Sequence, residues 1–174
     1  MTQTTAIEQV TKYTEQHEQV LRFEHFSNSD AWQLGKFLVD KVAEKNYQLA
    51  ISIRRINGNI IFQHVFEGTN LNNETWMNRK FNTVARTEWS SLRAWAIFTT
   101  LNEPVPAHGL SESDYVFCGG GFPIRLKTGE VVGAVMVSGL YHTDDHDFIV
   151  EALSQYLEIS EKLPLIADVD FSAL

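Results

Sequence analysis

Residues 119–139 decide the fold: they read Gly-Gly-Gly-Phe-Pro-Ile-Arg-Leu-Lys-Thr-Gly-Glu and then Val-Val-Gly-Ala-Val-Met-Val-Ser-Gly. The pattern predicts two strands, at residues 122–127 and 130–139, joined by a tight turn at Thr128-Gly129. The apolar run 131–137 lacks the alternation of a half-exposed strand. We therefore expect it to be covered on both faces and to lie centrally in a sheet.

The dipeptide Asn57-Gly58 predicts a second pair of strands within residues 47–67. It is favoured in two-residue type I′ turns, and such a turn places Ile53 opposite Phe62. The face that holds these two residues is expected to belong to the core. His64 lies on the same face, so we expect it to be buried and hydrogen-bonded rather than a ligand.

Helices are predicted around these strands. Ser27 or Ser29 can cap one of them. Residues 71–101 contain no proline or glycine and predict one long helix, or two with a break near residues 89–91. Thr143 is the expected cap of the last helix, whose first turn is rich in aspartate, as the helix dipole favours.

One further strand is predicted at residues 114–118, and an uneven apolar pattern at residues 20–26 indicates a short strand there. The order hairpin, helix, three strands, helix implies a mainly antiparallel sheet of about five strands with helices packed on it. The predicted fold class is therefore α+β.

The composition is that of a soluble globular protein. A chain of 174 residues suits a single domain, predicted over residues 1–174 with an N-terminal helical extension at 1–19 and a C-terminal tail at 163–174. The net charge of -8 disfavours non-specific binding to nucleic acid or to an anionic membrane. No apolar run approaches the ~18 residues that span a bilayer. We expect a cytoplasmic protein with no nucleic-acid or membrane partner.

Five short motifs resemble a known family. They are the Asn57-Gly58 hairpin, Trp76 before Asn78-Arg79-Lys80, the Gly119-Gly120-Gly121-Phe122-Pro123-Ile124 run, Val137-Ser138-Gly139-Leu140 and Asp144-Asp145-His146. Together they resemble the haem-degrading-domain family, also called GlcG-like or HbpS-like, over nearly the whole chain. The resemblance implies a profilin-like α+β fold and a homo-oligomer built from dimers. It also implies haem as a candidate ligand, because some relatives bind haem.

The sequence departs from the family at one position. Relatives often carry histidine immediately before the glycine run, whereas this chain has Cys118. A role of that histidine as a ligand or an acid–base group is therefore not carried over. Cys118 itself is a nucleophile only if its pKa is lowered, and the alternative is a small apolar residue.

The first candidate site is an anion site on the helix that follows the hairpin. Trp76, Arg79 and Lys80 lie at helical offsets of three and four, so they share one face. A guanidinium and an ammonium beside an indole can hold a carboxylate or a phosphate. The alternative is a solvated face whose tryptophan packs at a subunit contact.

The second candidate site surrounds the glycine run. Gly119, Gly120 and Gly121 can offer backbone N–H groups to an anion, or can simply allow another backbone to pass close by. The flanking candidates for ligand binding are Cys118, Phe122, His142 and His146. Imidazole also suits metal ions. However, the neighbouring aspartates are explained by the helix dipole, and no metal site is predicted.

The sequence predicts an oligomeric ligand-binding domain, for which haem and a small anionic metabolite are the candidate ligands. One alternative is an assembly or adaptor protein whose tryptophans serve contacts. The other is an enzyme acting on haem or on a small anionic substrate. In that case Arg79 and Lys80 would bind the substrate, and His142 or His146 would transfer a proton. No catalytic residue is assigned, and no cofactor other than haem is indicated.

Overall fold

The structure, a computed structural model, describes residues 5–172. The first four residues of the predicted extension and the last two of the predicted tail lie outside this range. Within it the elements are, in chain order, α1 (Ala6–Val20), β1 (Arg22–Phe23), α2 (Asn28–Lys45), β2 (Ala50–Arg55), β3 (Ile60–Val65), α3 (Leu71–Thr87), α4 (Ser91–Leu101), β4 (Gly121–Leu126), β5 (Val131–Ser138) and α5 (His142–Tyr156). Single 3₁₀ turns lie at Val105–His108 and Ile166–Asp168. None of the described helices is long and apolar enough to span a membrane.

The five strands form one sheet in the order β1-β4-β5-β2-β3. Each neighbouring pair is antiparallel except β1 and β4, which run parallel over two residues. β4 and β5 pair with Phe122 opposite Val135, so the glycine-rich segment and the valine-rich segment are adjacent strands. The predicted α+β class and the mainly antiparallel sheet are confirmed. β5 is also the central strand, and its residues from Gly133 to Ser138 are buried.

Helices cover both faces of the sheet. One face packs against α2 and α5 in the largest core cluster, which includes Leu34, Leu38, Ile51, Ile53, Phe122, Ile124, Val135, Val137, Phe148, Ile149 and Leu153. The other face packs against α3 through Ala50, Met77, Phe81, Val84, Ala134 and Met136. A third cluster joins α1, α4 and the C-terminal segment through Val10, Leu92, Ala96, Ile166 and Val169.

The local helix signals are largely confirmed. Ser27 caps α2 by accepting a hydrogen bond from the N–H of Asp30, whose side chain reaches back to the N–H of Ser27. α3 and α4 are separate helices, and the break falls between them at residues 88–90, where Glu88 adopts a left-handed φ of 57°. Thr143 is not the cap of α5. That position is Tyr141, and Thr143 lies inside the first turn.

The hairpin has the predicted strand register but a different turn. Ile53 lies opposite Phe62, as expected. The loop has three residues, however, because the backbone N–H of Arg55 donates to the carbonyl of Asn59 and so closes the hairpin around residues 56–58. Inside the loop, the N–H of Gly58 donates to the carbonyl of Arg55. Gly58 has a φ of 93° whereas Asn57 has no positive φ, so the turn is not type I′. A bulge beside Ile53 absorbs the extra residue.

His64 is exposed, contrary to the prediction of a buried residue. It lies on β3, which is the last strand of the sheet and is only partly covered by α2. Its ring contacts that of Phe66 edge-on, with 4.8 Å between centroids. The alternation of apolar residues identified the correct face of the strand, but that face extends beyond the helix that covers it.

The predicted strand at residues 114–118 is wrong. Side chains of α3 take the hydrogen bonds that a neighbouring strand would otherwise make. Asn82 donates to the carbonyl of Asp114 at 2.8 Å, and the Thr83 hydroxyl donates to the carbonyl of Val116 at 2.7 Å. The edge position beside β4 belongs instead to β1, in the region where residues 20–26 indicated a short strand.

Candidate functional site

A cleft of about 450 Å³ lies between α3 and the turn that joins β5 to α5, and we call it the main cleft. Its lining brings together side chains from three separate segments of the chain, among them Trp76, Lys80, Cys118, Tyr141, His142 and Asp145. Four of the predicted ligand-binding residues are therefore neighbours: Trp76, Lys80, Cys118 and His142.

The floor of the main cleft is a buried ion pair. Lys80 Nζ donates to Asp145 Oδ2 at 2.9 Å and to the carbonyl of Val137 at 2.8 Å. The two side chains are only 3% and 2% exposed. Burial raises the pKa of Asp145, and the charge of Lys80 opposes that rise. The other carboxylate oxygen accepts from the N–H of Leu140 at 3.0 Å, which fixes the start of α5 over the pair.

The ammonium retains one donor. An ammonium carries three N–H groups, and the two hydrogen bonds to Asp145 and Val137 use two of them. Gly120 makes room for this group: a Cβ at that position would lie 2.4 Å from Lys80 Nζ, and its φ of 106° favours glycine. The glycine therefore has a steric reason to be there, independent of any ligand.

His142 is held with its proton on one particular nitrogen. Its Nδ1 accepts a hydrogen bond from the N–H of Gly119 at 3.1 Å. Burial lowers the pKa of His142, with the charge of Lys80 acting in the same direction, so the ring is neutral near pH 7. A neutral imidazole carries one proton, which here must lie on Nε2. His142 therefore presents an N–H donor through its remaining nitrogen.

The glycine run packs closely against α5 and α4. A Cβ on Gly119 would lie 2.0 Å from the carbonyl oxygen of His142. The N–H of Gly121 donates to Ser91 Oγ at 2.9 Å, and the N–H of Gly119 is bonded to His142. Two of the three N–H groups predicted as an anion nest are thus used within the protein. Phe122 does not reach the cleft, since its ring is fully buried in the core.

Arg79 does not lie beside the Lys80 ammonium. Its guanidinium stacks over the Trp76 ring at 4.6 Å and its Nε donates to the carbonyl of Tyr115 at 3.4 Å. It lines a second cleft of about 410 Å³, the aromatic cleft, whose walls include Trp95, Phe98, Tyr115 and Phe117. Lys80 and Arg79 were predicted to act together. In the structure, Lys80 is buried in an ion pair at the floor of the main cleft, whereas Arg79 lines the aromatic cleft.

His146 lies outside the main cleft although it is one helical turn from His142. It is fully buried, with 3.1 Å between its Nε2 and Nδ1 of His17. The other nitrogen of His17 lies 2.7 Å from the carbonyl of Pro164. A carbonyl can only accept, so His17 carries its proton on Nε2 and accepts from His146 at Nδ1. Burial lowers the pKa of His17 to about 4 and that of His146 well below its usual range, so both are neutral.

Cys118 is a protonated thiol. Burial raises its pKa, and the nearby charge of Lys80 opposes that rise without reversing it. Because the thiolate is the reactive form, the environment does not activate Cys118 as a nucleophile. Within residues 5–172 no group of three or more histidine, cysteine and acidic side chains could hold a metal ion.

The main residue that sequence reasoning missed is Asp145 as the partner of Lys80. The two residues are 65 positions apart, and an aspartate in a first helical turn is already explained by the dipole. His17 was missed for a similar reason, because nothing local distinguishes a polar residue that faces inward on α1 from one that faces outward. No signal in a single sequence would have found either contact.

Comparison with known proteins places the chain among described families. The model of the family "Haem degrading protein HbpS-like" matches residues 26–154. A UPF0303 protein of Yersinia enterocolitica is 34% identical over 155 residues, which cover 87% of this chain and 90% of that protein. The crystal structure of the Ybr137w protein superimposes with a TM-score of 0.77 at 24% identity, covering 87% of this chain and 90% of the other. The crystal structure of a PduOC–haem complex superimposes with a TM-score of 0.56 at 16% identity, covering 74% of this chain and 93% of the other.

Proposed function

The chain belongs to the HbpS-like family of haem degrading proteins, and we propose that it binds a small organic carboxylate in the main cleft. One observation carries the proposal: the cleft gathers Trp76, Lys80, Cys118 and His142 around about 450 Å³ of space. Clefts of this size with an aromatic wall and a few convergent polar groups are typical of small-molecule sites.

The donors of the cleft favour a ligand with acceptor oxygens. Lys80 has one N–H beyond its two internal bonds, and His142 presents Nε2–H. A carboxylate would receive hydrogen bonds from both, and the bond from the ammonium would be charge-assisted. Trp76 and Tyr141 would contact the apolar body of the ligand, since both line the same cleft. The Arg79 guanidinium behind the indole adds a positive charge close to the site.

The residues of the cleft do not fit a haem whose iron is held by His142 or Cys118. Haem iron needs a ligand atom with a free lone pair. The Nδ1 lone pair of His142 is engaged by the N–H of Gly119, and its Nε2 carries the proton. Cys118 is held as the thiol by burial, whereas the thiolate is the metal-binding form. The haem complex of the PduOC protein therefore suggests haem as a ligand to test, with no ligand residue carried over.

Binding rather than turnover is the function that these groups support. Cys118 is not activated, and Asp145 is occupied by Lys80 and by the N–H of Leu140. His142 could donate a proton, but its own lowered pKa makes the charged form scarce near neutral pH. A ligand held in this cleft would be bound by fixed donors without a nucleophile next to it.

Isothermal titration with benzoate, with its uncharged analogue benzamide and with haem tests the proposal. We expect saturable binding of benzoate and at least several-fold weaker binding of benzamide, because benzamide lacks the charge. His142→Asn should weaken benzoate binding about tenfold or more, since it removes Nε2–H and keeps an oxygen that can accept from Gly119. The control is His25→Asn, at an exposed position whose ring is bonded to Asp30.

Each other outcome of the titration contradicts part of the proposal. Equal binding of benzoate and benzamide would reject the carboxylate. Saturable haem binding that disappears in His142→Asn would make haem the ligand and reject the assigned tautomer. Failure of all three probes to bind the folded protein would reject small-ligand binding in this cleft.

A further inference from the structure

The aromatic cleft has walls suited to a flat apolar group. Trp95 and Phe98 lie three residues apart on α4, and Tyr115 and Phe117 belong to the loop between α4 and β4. The rings of Phe98 and Phe117 lie 4.6 Å apart between centroids. Aromatic rings pack favourably on other rings, so these walls suit an aromatic ligand. The volume of about 410 Å³ is within the range of small-molecule sites.

A guanidinium in the same cleft keeps hydrogen-bond donors for a ligand. Arg79 is held by its stacking on Trp76 and by the bond from its Nε to the carbonyl of Tyr115. Within residues 5–172, its two Nη groups have no hydrogen-bonded or ion-paired partner. A guanidinium presents such donors in one plane, and this arrangement matches the two oxygens of a carboxylate.

Two carboxylates also line the aromatic cleft. Glu112 has no hydrogen-bonded or ion-paired partner for its side chain among the residues that the structure describes. Glu103 Oε2 lies 3.5 Å from Nε2 of His108, and that nitrogen makes no hydrogen bond. Neither carboxylate is paired with Arg79 in the described part of the chain. The cleft therefore holds charges of both signs that do not neutralise one another.

We propose that the aromatic cleft binds a free aromatic amino acid. The carboxylate of the ligand accepts from the Nη groups of Arg79, its ammonium lies toward Glu103 and Glu112, and its ring packs on the aromatic walls. A zwitterion is the ligand class that uses both signs of charge. An anion without an ammonium would face two glutamates, and a cation without a carboxylate would face the guanidinium.

The protein fixes the loop of the aromatic cleft without a ligand. The N–H of Tyr115 donates to the carbonyl of Ser111 at 3.0 Å, and the Thr83 hydroxyl donates to the carbonyl of Val116 at 2.7 Å. The loop that carries Glu112 is thus bonded both to itself and to α3. A site that is already formed loses little conformational entropy when a ligand binds.

The aromatic cleft is separate from the main cleft, because no residue lines both. The two proposals can therefore fail independently. A protein that binds an aromatic amino acid and no benzoate would leave this inference intact and reject the proposed function. A protein that binds benzoate and no aromatic amino acid would reject this inference alone.

Isothermal titration of the full chain with L-tryptophan, tryptamine and indole-3-propionate is the test. All three probes carry the indole, but tryptamine lacks the carboxylate and indole-3-propionate lacks the ammonium. We expect saturable binding of L-tryptophan and at least about tenfold weaker binding of each of the other two, because each leaves charged groups of the cleft unpaired. Every titration is repeated in excess benzoate, which should leave the affinity for L-tryptophan unchanged.

Two variants assign the charges of the ligand to the residues of the cleft. Arg79→Met should remove the preference for L-tryptophan over tryptamine, because the carboxylate then has no cationic partner. The double variant Glu103→Gln with Glu112→Gln should remove the preference for L-tryptophan over indole-3-propionate. The controls are Lys162→Met and the double variant Glu67→Gln with Glu158→Gln. They make the same changes of charge at exposed positions outside the cleft and should keep both preferences.

Several results would overturn the inference. Absence of saturable L-tryptophan binding would do so, as would tryptamine or indole-3-propionate binding as tightly as L-tryptophan to the wild type. Competition that grows with the benzoate concentration would move the ligand to the main cleft. Folded cleft variants that keep both preferences would also overturn the assignment. If circular dichroism shows that a cleft variant is unfolded, the comparison of the three probes on the wild type decides.

Discussion

Two histidines one turn apart on α5 have opposite surroundings. His142 lines the main cleft, is half-buried, and accepts from a backbone N–H while presenting a donor. His146 is fully buried and bonded to His17, which in turn contacts the carbonyl of Pro164. The same residue type thus lines the proposed ligand site at one position and joins α1, α5 and the C-terminal segment at the other. The difference is whether the polar atoms end at a cavity or at another part of the protein.

The same contrast separates the two buried carboxylates that have cationic partners. Asp145 with Lys80 forms the floor of the main cleft. Glu18 accepts from Arg93 at 2.8 Å and from the N–H of Ser90 at 2.7 Å, beneath α1 and α4, and burial raises its pKa. A buried charge is therefore not by itself a sign of a site in this protein. It indicates a site only where it adjoins open volume.

The largest expected effect is on stability, from breaking the ion pair under the main cleft. Lys80→Met leaves Asp145 buried without its partner, which should cost about 3–5 kcal/mol of unfolding free energy. Urea unfolding measures the loss. The double variant Lys80→Met with Asp145→Asn should recover most of it, because no uncompensated charge remains and the amide oxygen can still accept from Leu140.

Lys41→Met is the matched control for that prediction. Lys41 forms a surface pair with Glu44, which is 61% exposed, so its loss should cost less than about 1 kcal/mol. A similar small loss for Lys80→Met would mean that water reaches the floor of the cleft. The floor of the cleft would then weaken charge–charge interactions as much as the protein surface does. The contrast between the buried pair and the surface pair would not hold.

The next largest effect comes from the same substitution at the two histidines. His146→Asn removes the donor to His17 and leaves a buried acceptor unsatisfied, which should cost about 1–3 kcal/mol. His142→Asn keeps an acceptor for Gly119 and should change stability by less than about 0.5 kcal/mol. Benzoate binding should show the reverse order, weakened about tenfold or more by His142→Asn and kept in folded His146→Asn. Equal effects of the two variants in both measurements would contradict the distinction between them.

The sequence could predict the secondary structure around these two regions but not the contacts that define them. The strand pair β4–β5, the capping of α2 by Ser27 and the break between α3 and α4 follow from local patterns of glycine, serine and apolar residues. Such patterns act within a few positions and survive in a single sequence. The contacts that define the two regions join residues 65 and 129 positions apart, which only the folded chain brings together.

The wrong predictions have a common physical cause. The segment 114–118 has the composition of a strand, but Asn82 and Thr83 of α3 take its carbonyl groups, so no strand pairs with it. His64 follows the alternation of a core strand, but its strand lies at the edge of the sheet. Local propensity was overridden in both cases by what lies next to the segment in space. The candidate site was similarly divided, because Arg79 and Lys80 are adjacent in sequence and line different clefts.

A pH-dependent change in stability is expected from the His17–His146 contact. The pKa of His17 is about 4 in the folded protein, below the ordinary value of 6.5 that the unfolded chain has. The unfolded state therefore binds more protons between pH 6.5 and 4, and stability falls as pH falls through that window. The slope is up to about 1.4 kcal/mol per pH unit for one histidine. His146, whose pKa is also lowered by burial, acts in the same direction.

Asp147 opposes this slope and must be separated from it. Burial raises its pKa to about 6, against the N–H groups of Ile166 and Ala167, so its contribution to stability falls as pH rises from 3.8 to 6. His17→Gln retains a donor for Pro164 and an acceptor for His146 but does not titrate. Because Asp147 titrates in both proteins, the difference between wild type and His17→Gln isolates His17. A difference that stays constant from pH 7 to 4.5 would contradict the prediction.

The smallest expected effect is on the reactivity of the Cys118 thiol. Its thiol lines the main cleft, yet burial raises its pKa while the charge of Lys80 opposes that rise. We expect Ellman's reagent at pH 8 to react at least several-fold more slowly with the native protein than with the same thiol unfolded in urea, because less thiolate is present. Saturating benzoate should slow the native reaction further if the ligand occupies the cleft, whereas benzamide at the same concentration should not. A native thiol that reacts as fast as the unfolded one would mean that Lys80 outweighs burial there, and the floor of the cleft would then be polar enough to activate the sulfur.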